Sequence, residues 1–138
     1  MKISQRTDYA CRALLHLAQA YDGRSVLRAD DIAQAEAIPT SFLAQILHSL
    51  KKHGFVTSRR GKSGGWILAR PPSQIDLLEI ITALEPQLLE ENGPEQESPA
   101  ATAIQGYWQE LREVLRGKLA QTTLESLGGQ LSSPMYFI

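Results

Sequence analysis

Thr40, Ser41 and Gln45 place two hydroxyls and an amide on one side of a helical stretch, and Lys51, Arg59, Arg60 and Lys62 follow soon after. An amide donates and accepts at once, so Gln45 can make a paired contact to the edge of an adenine. Such a contact is worth about 1–3 kcal/mol of discrimination against the wrong base. Polar side chains near a helix N-terminus reach base edges in the major groove, while nearby lysines and amides hold the phosphates. Arg59, Arg60 and Lys62 flank glycines that allow close approach to a nucleic-acid backbone, and one guanidinium can enter a narrow minor groove. The chemistry on offer is recognition of double-stranded DNA. Its candidate contact residues are Thr40, Ser41, Gln45, Lys51, Arg59, Arg60, Lys62 and Gly64.

The charge distribution agrees. Residues 37–75 contain no Asp or Glu but six Lys and Arg. Residues 1–75 carry 11 basic and 5 acidic side chains, net +6, and residues 76–138 carry 3 and 10, net −7, so the overall charge of −1 conceals halves of opposite sign. The basic half neutralises phosphates by releasing their counterions, and the acidic half is repelled by a duplex and must face away from it.

Length and composition exclude other classes. A chain of 138 residues fits one domain, or a small domain with an appended helix, and is long enough to bury a core. No stretch approaches the roughly 20 apolar residues needed to span a bilayer, and the first residues lack the pattern of a signal peptide, so a cytoplasmic location is expected. The single cysteine, Cys11, excludes an intrachain disulfide and any intrachain thiolate cluster. No nucleophile lies beside a base, and His48 and His53 lack partners at metal spacing. The glycine-rich run Gly61 to Gly65 is not a phosphate loop, because no helix follows it. Neither an enzyme nor a bound cofactor is expected.

These side chains must be positioned by a mainly α fold with a small β hairpin. Tyr9, Ala10, Ala13, Leu14, Leu17, Ala18 and Tyr21 mark a first helix, whose second face gathers Asp8, Cys11, Arg12 and Leu15. Asp30 and Asp31 suit the positive end of a second helix. Glu36-Ala37-Ile38 turns into a third, beginning around Pro39, that buries Phe42, Leu43, Ile46, Leu47 and Leu50 and ends at Gly54. Phe55–Arg59 and Trp66–Arg70 read as strands of a hairpin with a cationic tip. Asp76 and Glu79 have capping-box spacing and open a fourth helix through Leu84. Residues 1–84 thus form a winged helix-turn-helix unit, and residues 85–99 an acidic, mobile loop. Residues 100–138 supply a long helix and an apolar tail, Met135 to Ile138. On that helix Ile104, Trp108, Leu111, Leu115 and Leu119 form a seam for another helix, the first four being the candidate dimerisation residues.

Met1-Lys2-Ile3-Ser4, Tyr9-Ala10, Ala13-Leu14, Ser41 to Leu47, Leu50 to Val56, Arg60-Gly61 and Gly64 to Arg70 together resemble the Rrf2 family of winged-helix bacterial regulators, over most of the chain. Trp108 and Thr123-Leu124 match weaker features further on. The resemblance implies a homodimer whose long helices cross and whose two winged units read a roughly palindromic operator. It also implies that Ser41 and Gln45 contact bases and that Arg60 enters the minor groove. Two departures stand out: Ala44 replaces a glutamate that some members use in operator choice, and Ala37 replaces the usual turn glycine.

A third departure concerns sensing. Many members hold an iron-sulfur cluster through cysteines in the loop after the fourth helix, yet residues 85–107 contain neither Cys nor His. No cluster is expected. Asp8 and Cys11 share a helix face that supplies unusual ligands in at least one relative, and they are the candidate sensor residues. The expectation is a cytoplasmic, DNA-binding regulator, a homodimeric repressor under the control of a small molecule, a protein partner or oxidation of Cys11. The alternative is a winged-helix module that binds another protein instead of DNA.

Overall fold

The computed structural model describes residues 2–91, 93 and 96–131. In chain order the elements are α1 (Gln5–Gln19), α2 (Ala29–Glu36), α3 (Thr40–Lys52), β1 (Val56–Arg59), β2 (Gly65–Leu68), α4 (Leu77–Leu84), α5 (Pro99–Ala120) and α6 (Leu124–Leu131), with short 3₁₀ turns at Pro72–Gln74 and Pro86–Leu88.

Periodicity accounts for the first three helices. Ala10, Ala13, Leu14 and Leu17 of α1 meet Ile32 of α2 and Leu43, Ile46, Leu47 and Leu50 of α3 in one core, which Phe55, Val56, Leu68, Ile75 and Ile80 extend. Each large side chain buried in this way contributes about 1.5–3 kcal/mol. Ser4 caps α1 by accepting the Thr7 amide at 3.2 Å. Pro39 stands one residue before α3, at its cap, because the chain enters in extended geometry there (φ −56°, ψ 132°). Gly54, at φ +82°, closes α3.

The α2–α3 turn is strained. Ala37 adopts φ 55°, ψ 44°, left-handed backbone in which a Cβ crowds the following carbonyl. The Ile38 amide closes the turn onto the Ala33 carbonyl at 2.9 Å. Arg12 of α1 reaches the Glu36 carbonyl at 3.0 Å, and His16 meets the Glu36 carboxylate at 2.8 Å, so α1 holds the end of α2 from outside.

β1 and β2 pair antiparallel with Val56 opposite Leu68 and Arg59 opposite Gly65, which narrows the sequence-read strands by a residue or two at their outer ends. Leu27 adds an isolated bridge on the other edge of β2, exchanging both backbone hydrogen bonds with Trp66 at 2.8 and 2.7 Å. Beyond the hairpin, Asp76 and Glu79 form the expected capping box, the Glu79 amide donating to Asp76 at 2.9 Å.

The C-terminal half departs from expectation in two places. The chain after Thr122 does not trail away: Leu77 donates to the Thr122 carbonyl at 2.8 Å, Leu124 donates to Ile75 at 3.0 Å, and buried Leu124 carries α6 back against α1. Residues 85–89 are not loose either, since Glu85 and Leu89 are buried, Ser4 donates its amide to Glu85 at 2.8 Å, and Arg116 donates to the Leu89 carbonyl at 2.7 Å. Composition alone missed these because each tie links segments distant in sequence. The expected long helix is α5, which runs 22 residues, about 33 Å at 1.5 Å per residue, with no buried side chain among them. The tail residues Met135 to Ile138 lie outside the described residues.

Candidate nucleic-acid interface

α3 divides cleanly: its apolar side seals the core, and Thr40, Ser41, Gln45 and His48 are exposed on the other. Gln45 lies one turn after Ser41, so the two stand one above the other on that open face. His48 packs edge-on against Trp66 of β2 with ring centroids 5.5 Å apart, which joins the outer face of α3 to the hairpin. Lys51 makes the same join, its Nζ donating to Ser58 Oγ at 2.8 Å.

The hairpin cations differ in freedom. Arg59 reaches the Arg24 carbonyl at 3.5 Å, whereas Arg60 and Lys62 are exposed and stand outside every ion pair among the described residues. Gly64 has a structural reason for its type: a Cβ there would collide with the Arg59 carbonyl oxygen. Gly65 has another, since its Cβ would come within 2.5 Å of the Leu27 carbonyl oxygen. Both glycines let the tip fold tightly and the Leu27–Trp66 bridge form.

The α5 seam is rotated relative to the sequence reading. Ile104, Trp108 and Leu111 are exposed as expected, but Leu115 and Leu119 are half-buried toward their own chain. Tyr107 and Val114, 53% and 69% exposed, complete the outward stripe, and the Tyr107 ring lies tilted against Trp108 with centroids 5.4 Å apart. The seam read from Ile104 to Leu119 at intervals of 4, 3, 4 and 4 passes over both.

Asp8 and Cys11 do not form an open ligand set. The Asp8 carboxylate is paired with Arg12 at 3.0 Å. Cys11 is half-buried, and burial, with a smaller push from Asp8, raises its thiol to about 11. Among the described residues no three His, Cys, Asp or Glu side chains gather to hold a metal.

This arrangement, an exposed polar helix face beside a cationic hairpin, has counterparts in known proteins. The sequence matches the Rrf2 family, described as iron-dependent transcriptional regulators, over residues 3–130. The chain belongs to the Rrf2 family. A Mycobacterium tuberculosis protein named as a helix-turn-helix-type transcriptional regulator is 35% identical over 133 residues, covering 94% of this chain and 82% of that one. CymR, the global cysteine regulator of Bacillus subtilis, superposes with a TM-score of 0.83 at 30% identity, covering 94% of this chain and 98% of CymR. IscR of T. potens gives 0.75 at 25% identity, covering 100% and 97%. The winged-helix fold and the DNA-binding, transcription-regulating class follow, and the relatives are regulators, not enzymes.

This Rrf2 member has a single cysteine, Cys11. Burial raises its thiol to about 11, which favours the protonated form over the thiolate that binds iron. In the segment after α4, Leu89 is buried and its carbonyl accepts from Arg116.

Proposed function

We propose that this Rrf2 regulator acts as a homodimeric repressor, pairing through the outward stripe of α5 and setting two α3–hairpin units on a palindromic operator. The observation that carries the reading is the open Thr40–Ser41–Gln45 face continuous with a hairpin whose Arg60 and Lys62 have no acidic partner among the described residues. Gln45 reads a base, Ser41 supports it, Arg60 enters the minor groove, and Lys51 and Lys62 neutralise phosphates. The acidic residues after 76 keep the duplex on the basic side. Bound there, the dimer represses by occluding the promoter.

Control falls to a small molecule or a protein partner that distinguishes two dimer geometries. Thiol oxidation is disfavoured, because a thiol titrating near 11 presents almost no thiolate at neutral pH. The test is operator binding by fluorescence anisotropy at fixed salt. Arg60→Ala is expected to weaken binding, and Gln45→Ala to relax base preference at one position per half-site. Parental behaviour in both variants removes the assignment. A flat salt response of the parent would favour a protein-binding module instead.

A further inference from the structure

Between the start of α2 and the hairpin tip lies an open cleft of about 430 Å³. Arg28, Ala29 and Asp30 form one side, and Gly61, Lys62 and Gly64 the other. We propose that this cleft seats a DNA backbone phosphate between Arg28 and Lys62, and that Asp30 in the same cleft weakens the seat. The inference rests on the DNA-binding reading above and extends the contact surface beyond α3 and the hairpin.

Three observations carry it. The two sides of the cleft are fixed to each other: Leu27 and Trp66 exchange both backbone hydrogen bonds, and Arg59 reaches the Arg24 carbonyl, so Arg28 and the tip keep their separation. Arg28 and Lys62 are exposed and belong to no ion pair among the described residues, which leaves both charges available to an anion. The surface is continuous with the base-reading face, since His48 of α3 packs on Trp66, the residue that bridges Leu27. A duplex whose groove receives α3 brings its flanking strand to this side, and a guanidinium grips phosphate in two-pronged geometry.

Asp30 gives the inference an arm of opposite sign. Asp30 is exposed, is one of the residues lining the cleft and takes part in no ion pair among the described residues. A phosphate seated there is repelled, so removing that charge must tighten binding where removing Arg28 loosens it.

Phosphate contacts are independent of sequence, so the probe is a 30-base-pair duplex of mixed sequence, titrated by fluorescence anisotropy from 50 to 200 mM KCl against the full-length protein. Arg28→Ala is expected to lower the log–log salt slope by about 1. Over that range one contact is worth about a three- to fourfold change in affinity by counterion release. Arg28→Lys should restore most of the slope, and Asp30→Asn should bind about two- to threefold more tightly than the parent, by the reverse of the same charge effect. Equal melting temperatures of parent and variants exclude a folding explanation. A parent that binds while Arg28→Ala and Asp30→Asn keep its slope and affinity overturns the phosphate seat and leaves the DNA-binding reading standing. A parent that fails to bind the duplex even at 50 mM salt overturns both.

Discussion

α3 and α5 are both amphipathic helices, and they resolve their apolar stripes in opposite ways. In α3, Leu43, Ile46, Leu47 and Leu50 are buried within the chain and the polar side is left open. In α5 no residue is buried, and Ile104, Tyr107, Trp108, Leu111 and Val114 stay exposed. The first helix is stabilised by its own chain and offers polar groups to a partner. The second leaves apolar groups open to solvent. A contiguous exposed apolar stripe is the feature expected of an association surface, and the proposed function assigns DNA reading to the first helix and assembly to the second.

The strongest way to break the contrast is within α3. Leu47→Ala should cost about 2–5 kcal/mol in chemical denaturation, because the surrounding core cannot collapse onto the void. Gln45→Ala, on the opposite side of the same helix, should stay within about 0.5 kcal/mol of the parent. Comparable losses from both substitutions would show that the open face is not free.

On α5 the effect should appear in assembly. Trp108→Asp combined with Leu111→Asp should give monomers in sedimentation velocity and lower affinity for a palindromic operator on the order of 100-fold, as two linked half-sites become independent. Dimers that persist in this variant would place the association surface elsewhere.

A smaller effect tests the turn that presents α3. Ala37→Gly removes the left-handed strain and should stabilise the protein by about 1 kcal/mol in thermal or chemical denaturation, with operator preference unchanged. No gain would mean that added backbone entropy in the unfolded chain offsets the relief.

The least of the four concerns the tie between the end of α4 and the start of α1. Hydrogen bonds from the Ser4 hydroxyl and amide, and from Thr7, hold the Glu85 carboxyl below its ordinary 4.5. A carboxyl depressed in the folded state contributes stability above its unfolded value and loses it as pH falls through its folded value. Glu85→Gln should therefore flatten the acid side of the stability profile below about pH 4.5 relative to the parent. A profile that keeps its parental acid slope would show that this carboxylate is not linked to folding.

How legible all of this was follows the same division. The polar face of α3, the cationic tip, the capping box at Asp76 and the family could be read because they rest on local spacing, charge and turn chemistry. The need for a left-handed residue at position 37 was visible only as a departure from a usual glycine. What escaped depended on contacts between distant segments: Leu124 entering the core, Arg116 holding Leu89, and Leu27 pairing with Trp66. The rotation of the α5 seam escaped for a different reason. Periodicity shows that a face is covered without showing by what, and α5 has two apolar edges, with Leu115 and Leu119 turned toward its own chain and Tyr107 and Val114 away from it.

The most direct test of the central claim is genome-wide recovery of DNA bound to the tagged protein in its own cells. A homodimer presenting two α3–hairpin units predicts a short palindromic consensus that blurs at one position in each half when Gln45 is replaced by Ala. Diffuse recovery, or a consensus without internal symmetry, would contradict it.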